Sequence, residues 1–300
     1  MSVATLRPPR PMGWRKVKNR LLWGLCAVAL VLVVIPVVSV VGGILVRAAA
    51  HWQWSVLVHN QVGNGGGLLN MWVGTLLITA GVVVIAGVIG MAGGVYLAEY
   101  CPEGKGRMLR GATEVLAGVP SIVLGYFGYV ALVLAFGWGY SLLAAWLIVG
   151  LLVIPYVINT TELAVRAVPT AYREGAESLG MRSGYTLRKL VLRPALPGMV
   201  TGLIFAAAIS VGETAPLLYT AGYNSNLPSL KLTHSQVGYL TYGAFKLFDS
   251  PFQSARNLAF DAALLLVAMV LVLLVVARLL VSFTQKYSPD RPQRGARRSP

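Results

Sequence analysis

The sequence predicts an all-α, polytopic membrane protein with six transmembrane helices and both termini cytoplasmic. Three observations predict it. Of the 300 residues, 56% are hydrophobic and only 12% charged, with mean hydropathy +0.70; soluble domains carry roughly 25% charged residues. Six apolar runs, at 21–46, 68–98, 111–137, 141–160, 196–222 and 258–284, are each long enough to cross about 30 Å of hydrocarbon at about 1.5 Å per residue. The cations behind the formal charge of +15 are clustered: six precede the first run (Arg7 to Arg20), six lie in 161–195, and five follow the last run (Lys286 to Arg298). That clustering is the positive-inside signature of cytoplasmic segments, so no nucleic-acid partner is expected. No hydrophilic block is long enough to fold alone, which leaves one polytopic domain in contact with membrane lipid.

The elements follow in order. Residues 1–20 form a basic cytoplasmic tail, and 21–67 hold the first transmembrane helix and an outer loop. That first run is longer than the about 7–15 residues of a signal-peptide apolar region, so Ala48-Ala49-Ala50 is not read as a cleavage site. Residues 68–284 carry the remaining five helices. The loops at 99–110 (with Lys105, Arg107 and Arg110) and 161–195 fall inside. The loops at 47–67, 138–140 and 223–257 fall outside, with only Arg47, Lys231, Lys246 and Arg256 among them. Residues 285–300 form a second basic cytoplasmic tail. Both tails are rich in Pro and Arg, a composition that predicts disorder.

Cys26 lies inside the first run and Cys101 in a short basic loop, at different depths, so no disulfide is expected. The three histidines, His51, His59 and His234, are scattered through outer loops beside Trp52 and Trp54, and read as surface or interfacial residues rather than metal ligands. No cofactor is expected.

The loop at 161–195 is the most informative stretch. Pro169 ends one helical piece, and Thr170 is placed to cap the next by accepting backbone N–H bonds. Residues 171–179 then make about two and a half turns, stopped by Gly180. A second piece runs through 185–190 before Pro194 and Pro197 turn the chain back toward the bilayer. The short helix has small residues, Gly175 and Ala176, on one side and Arg173, Glu174 and Glu177 for polar contacts. One reading is an amphipathic helix lying on lipid headgroups. The other is a docking helix for another protein, favoured because Gly175 and Ala176 offer little apolar area to lipid.

Two further sites stand out. Glu213, with Ser210 and Thr214 nearby, places a carboxylate inside an apolar run, where ionisable residues face a pathway or pair internally; both readings stay open. A bare carboxylate repels an oxyanion, so direct binding there requires a neighbouring cation or a protonated Glu213. Pro120-Ser121 places a kink and a hydroxyl mid-helix, either lining a cavity or easing helix packing.

The docking loop resembles the cytosolic motif of bacterial ABC-importer permeases: Glu-Ala-Ala, three residues, Gly, nine residues, then an apolar-x-Leu-Pro ending. Here it reads Glu174-Gly175-Ala176, Gly180, then Leu190 and Leu192. Gly175 replaces the first Ala and Arg193 the closing Pro. Leu116 to Val123 and Gly212 to Ala221 are similar to phosphate-importer permeases, the second stretch to the A-type subunit, and the resemblance extends over 68–284. It implies the type I ABC-importer permease architecture and a non-enzymatic subunit that pairs with a homologous C-type permease. It further implies two ATPase subunits docked on Arg173, Glu174, Gly175, Ala176 and Gly180, and an extracytoplasmic phosphate-binding protein that delivers cargo. ATPase closure would rock the permease pair between inward and outward access. The tentative pathway residues are Pro120, Ser121, Asn159, Ser210, Glu213 and Thr214. Two positions depart from the phosphate pattern: Ile209 and Asn159 stand where the family carries Arg, so either the partner subunit supplies the cation or the cargo differs.

The expected function is therefore permeation of inorganic phosphate across the bacterial cytoplasmic membrane, driven by a separate ATPase, since no G-x-x-x-x-G-K-[ST] occurs in the chain. Molybdate, sulfate and phosphonate are the alternative cargoes. A membrane-embedded enzyme would need a nucleophile with a base, or a metal motif, within the helices. No apolar run holds a histidine, and both H-E-x-x-H and G-x-S-x-G are absent. An ion-coupled carrier would have no use for a docking loop.

Overall fold

The computed structural model describes residues 12–285, so the expected tails at 1–11 and 286–300 lie outside the described residues. The chain divides into two units, one ending at His51 and the other beginning at Trp52. The first is a single helix, α1 (Met12–His51), with Pro36 inside it. It begins well before residue 21, so part of the expected basic tail is helical.

The second unit opens with a 3-10 turn at Trp54–Leu57, followed by an antiparallel hairpin of two-residue strands, β1 (Gln61–Val62) and β2 (Gly65–Gly66). The turn between them needs a left-handed residue, and Gly63 supplies it at φ 56°. Asn70, fully buried, holds the hairpin to a distant loop: its Oδ1 accepts from Gln61 N at 3.3 Å, and its Nδ2 donates to Asn224 O at 3.0 Å. The Tyr223 hydroxyl donates to Gln61 Oε1. Burial pushes that phenol up to about 12, so it stays a neutral donor.

Helices α2 (Leu69–Glu99) and α5 (Leu142–Arg166) form the centre of the bundle. Ile78, Val82 and Ala86 of α2 meet Ala145, Val149, Val153 and Val157 of α5, all buried. The two helices approach closely because α2 carries glycine at the contacts. A Cβ added at Gly81 would lie 2.0 Å from the Trp146 ring, and one at Gly94 would lie 2.6 Å from the Ile158 carbonyl oxygen. Membrane helices associate through such small-residue seams, because lipid offers no hydrophobic drive between apolar surfaces.

Helix α3 (Glu103–Ala117) leads to α4 (Ser121–Gly128), which continues as a wider π-helical turn over Tyr129–Ala135. The third apolar run is therefore not one straight helix: α3 and α4 are bent 89° to each other. Gly118 ends α3, and Pro120, at ψ 132°, starts α4 in extended backbone without an N–H to give. The residue before a proline is pushed out of the helical region as well, so Gly118-Val119-Pro120 breaks the run rather than kinking it.

Following α6 (Ala171–Ser178), α7 (Ser183–Thr186) runs through a π-helical turn at Leu187–Val191 into α8 (Leu192–Gly212). The chain does not turn at Pro194 and Pro197 as expected; it stays helical across Ser183–Gly212. Pro194 has no N–H for the carbonyl of Leu190, and the looser π turn just before it absorbs that mismatch. The fifth run breaks instead after Gly212 and resumes as α9 (Ala215–Thr220). Pro216 is the cause: it cannot donate to the Gly212 carbonyl, and its ring clashes with it. The expected outer loop at 223–257 contains a further helix, α10 (Leu240–Phe248). It packs with α11 (Gln253–Gln285) around buried Met71, Leu240, Leu258 and Ala262.

Five helices among the described residues are long and apolar enough to cross a membrane, and the bent α3–α4 pair is a sixth if its two halves form one broken span instead of a re-entrant loop.

Two glycines on different elements are expected to respond oppositely to the same change. Gly94→Ala should cost about 1–3 kcal/mol through overpacking, read as a lower thermal unfolding midpoint in detergent. Gly175→Ala meets nothing within 4 Å and should stabilise α6 by up to about 1 kcal/mol, read as slower amide exchange in that helix.

Candidate functional site

Two places combine polar chemistry with unusual backbone. The first is where the broken spans meet. An added Cβ at Gly125 of α4 would lie 2.6 Å from Pro216 Cα of α9, and one at Gly128 would lie 2.4 Å from Ile148 Cγ1. Discontinuous helices are where transporters build cargo sites, because a chain break exposes backbone that can line a cavity.

Glu213 sits in the α8–α9 break, not inside a helix as the sequence suggested. Its backbone is extended (φ −70°, ψ 133°), and its carbonyl accepts from Thr241 Oγ1 at 2.8 Å. Thr214 starts α9 without a side-chain capping bond. Ser210 is 2% exposed, and its hydroxyl has no partner among the described residues. It lines a small void with Thr75, Tyr239 and Thr241, and the Tyr239 hydroxyl there is likewise unpartnered. The structure thus brings Ser210, Glu213 and Thr214 to one break. Pro120 and Ser121 lie at the start of α4, at the other break and not mid-helix. Asn159 is exposed on α5 and makes no side-chain hydrogen bond among the described residues.

Sequence reasoning missed the aromatic group beside these breaks. Tyr126 and Tyr219 meet edge to face at 6.0 Å, Tyr129 and Tyr140 stack at 5.9 Å, and Tyr129 also lies 6.4 Å from Tyr219. Only the three-residue spacing of Tyr126 and Tyr129 hinted at it; Tyr140 and Tyr219 arrive through the fold.

The second place is the end of the bundle that carries α6. Gly180 ends this helix at φ +67°. Its N–H donates to Glu177 O at 2.9 Å, and Met181 N donates to Ala176 O at 3.0 Å, which satisfies the last carbonyls. Thr170, expected as the N-cap, is itself helical and makes no side-chain cap bond.

Arg173 does not face outward. Its guanidinium donates to Glu99 Oε1 at 2.5 Å and Oε2 at 3.3 Å, to Val168 O at 2.8 Å and to Val165 O at 3.2 Å. It therefore ties α6 to the end of α2, through Glu99, and to the last turn of α5 and the residues just after it, through Val165 O and Val168 O; the C-terminal ends of helices favour a cation. Ala176 is 2% exposed and packs inward. The outward face presents Glu174, Gly175, Tyr172 and Leu179, the last 75% exposed. Nearby, Glu162 Oε1 accepts from Arg110 Nε at 2.8 Å and is ion-paired with Arg166 Nε at the same distance, and Arg166 Nη2 donates to Leu97 O at 3.3 Å.

The family model of the binding-protein-dependent transport system inner membrane component matches residues 90–290. The chain is 46% identical over 274 residues to the phosphate transport system permease protein PstA 2 of Mycobacterium bovis, covering 91% of each. It is 35% identical over 221 residues to the phosphate transport system permease protein PstA of Yersinia pestis, covering 72% of each. It is 31% identical over 225 residues to the probable ABC transporter permease protein YqgI of Bacillus subtilis, covering 73% of this chain and 75% of that one. The 274-residue alignment is longer than the expected 68–284. Among solved structures, an inward-facing MetNI methionine ABC transporter aligns with TM-score 0.57 at 20% identity, covering 70% of this chain and 93% of that one. An amino acid ABC transporter crystallised with histidines aligns at TM-score 0.53 and 18% identity. At such identities the likeness is one of fold.

Removing the α6 anchor has a defined expected result. Arg173→Gln leaves Glu99, whose side chain is 17% exposed, without its cation, at a cost of about 2–3 kcal/mol. Amide exchange across 169–181 should rise and the unfolding midpoint should fall. Arg173→Lys should recover only part of the loss, because an ammonium cannot reach the four acceptors that the planar fork spans.

Proposed function

This chain belongs to the family of binding-protein-dependent transport system inner membrane components, and we propose that it is the A-type permease subunit of an ATP-driven importer of inorganic phosphate. The high identity to phosphate transport permeases over nine tenths of the chain supports the cargo. The single observation that carries the mechanism is α6, a short helix held outside the bundle and anchored to two membrane-spanning helices through one guanidinium.

In this reading, the segment 161–195 lies in the cytoplasm with both chain termini, and α6 inserts into a cleft of an ATPase subunit. The outward face supplies the contact: Glu174 offers charge, Gly175 allows close approach, and Tyr172 and Leu179 supply apolar area. Arg173 and Ala176 position the helix instead of touching the ATPase, and Gly180 ends it. When two ATPase subunits close on ATP, the displacement of α6 passes through Arg173 to the ends of α2 and α5. The bundle then rocks against a homologous C-type permease. Phosphate released by an extracytoplasmic binding protein enters between the two permeases, beside the broken spans at Pro120-Ser121 and Glu213.

The permease core is residues 68–284, and ATP hydrolysis belongs to the separate ATPase subunits. Because Ile209 and Asn159 are neutral, the positive charge at the level of Glu213 comes from the partner permease.

The test is phosphate uptake in cells lacking their own A-type permease, complemented by this chain with its cognate partners. Saturable uptake that molybdate and sulfate do not suppress is expected. An assembled, ATP-hydrolysing complex that moves molybdate or sulfate but not phosphate would reassign the cargo. Glu174→Lys should abolish uptake while the protein remains in the membrane, and normal uptake by that variant would overturn the docking assignment.

A further inference from the structure

The cluster of Arg110, Glu162 and Arg166 carries more positive charge than its own pairing uses. Glu162 is buried, its side chain 7% exposed, and a single one of its oxygens, Oε1, lies 2.8 Å from both Arg110 Nε, which donates to it, and Arg166 Nε, with which it is ion-paired. Two cations share one anion, which leaves a net charge of +1 at the point where α3 crosses α5. A purely structural pair needs only one arginine.

The way the two guanidinium groups are held matters more than the count. Arg110 is pinned through Nε alone, so both of its Nη nitrogens are without partners among the described residues, and its side chain is 32% exposed. Arg166 uses Nε on Glu162 and Nη2 on Leu97 O, leaving Nη1 unpartnered among the described residues, with half of the side chain exposed. Because both Nε atoms sit on one carboxylate oxygen, the two groups lie within reach of a single tetrahedral oxyanion. Glu114, one turn along α3 from Arg110, is exposed and makes no ion pair with it among the described residues.

We propose that Arg110 and Arg166, pre-set by Glu162, form a binding site for a phosphate group at the cytoplasmic end of α5. Each guanidinium presents N–H donors to the group's oxygens, with the Arg110 fork taking two of them, the geometry in which arginine binds phosphate best. Glu162 is a positioning residue: it fixes the direction of both forks and, being buried behind them, does not reach the ligand. The location also explains why the site sits there. Seven residues, or two helical turns, separate Arg166 from Asn159, so the cation lies on the same face of α5 as that neutral pathway candidate, displaced toward the cytoplasm. The phosphate group comes either from inorganic phosphate at the inner mouth or from the headgroup of an anionic lipid at the same depth.

The choice of membrane face and the assembled complex used in the test rest on the importer reading. The experiment measures binding without transport, so failed uptake and failure of this site are separable. The assembled permease–ATPase complex, without its binding protein, is placed in zwitterionic nanodiscs and treated with phenylglyoxal. Modification of Arg110 and Arg166 is then read peptide by peptide. Protection of both by millimolar inorganic phosphate, with Lys246→Gln as an outer-surface control that changes nothing, identifies the free ion. Protection that appears only when phosphatidylglycerol is added to the disc identifies the headgroup. Either result supports the site. In the arm that protects, Arg110→Gln, which leaves Glu162 paired with Arg166, should raise the ligand concentration needed to protect Arg166 at least tenfold. Modification of both arginines unaffected by either ligand, or protection of Arg166 unchanged in Arg110→Gln, would overturn the proposal. The wild-type peptide map alone decides the question if the variant fails to assemble.

Discussion

One guanidinium holds the α6 end of this protein together. Arg173 reaches a carboxylate on α2, one carbonyl in the last turn of α5 and one just beyond that helix, all from a helix that lies outside the bundle. Glu99 is too enclosed to stand alone, and the C-terminal ends of helices favour a cation. Neighbouring Arg166 likewise donates to Leu97 O. An eight-residue helix such as α6 is too short to persist alone in water, so its order comes from this anchor, from the Gly180 cap and from inward-packed Ala176. A push on α6 therefore reaches the ends of two central helices without passing through a flexible loop.

The centre of the bundle obeys a different constraint. Lipid is as apolar as the side chains of α2 and α5, so their association depends on close contact instead of apolar burial from water. Glycines supply that closeness along α2, and larger side chains of α5, such as Trp146 and Val157, fill the space. Trp146 Nε1 donates to Leu77 O at 3.0 Å across the same seam, adding a bond whose loss in hydrocarbon costs more than in water.

The broken spans complete the picture. Each break has a proline just beyond it, at Pro120 and at Pro216, and the helices that follow pack against each other through Gly125. Beside the breaks lie Glu213 in extended backbone, hydroxyls of Ser210 and Tyr239 with no partner among the described residues, and a group of tyrosines.

Much of this was legible in the chain itself. Composition and the spacing of apolar runs determined an all-α membrane protein, since only helices satisfy their own backbone in lipid. The Glu174-Gly175-Ala176 to Gly180 spacing determined a short helix and its end. Other features were written in the sequence and under-read: Gly118-Val119-Pro120 and Gly212 with Pro216 are breaks, because a proline leaves the carbonyl four residues back without a donor. What only the tertiary structure decided is which side chains meet. Arg173 reads as an exposed docking cation in a linear motif, yet its partners Glu99 and Val165 lie on two other helices. Arg110 and Glu162 are 52 residues apart, and the tyrosine group draws on three separate elements. Local pattern determines whether a segment is helical and which residues share its face, whereas long-range packing alone determines what that face touches.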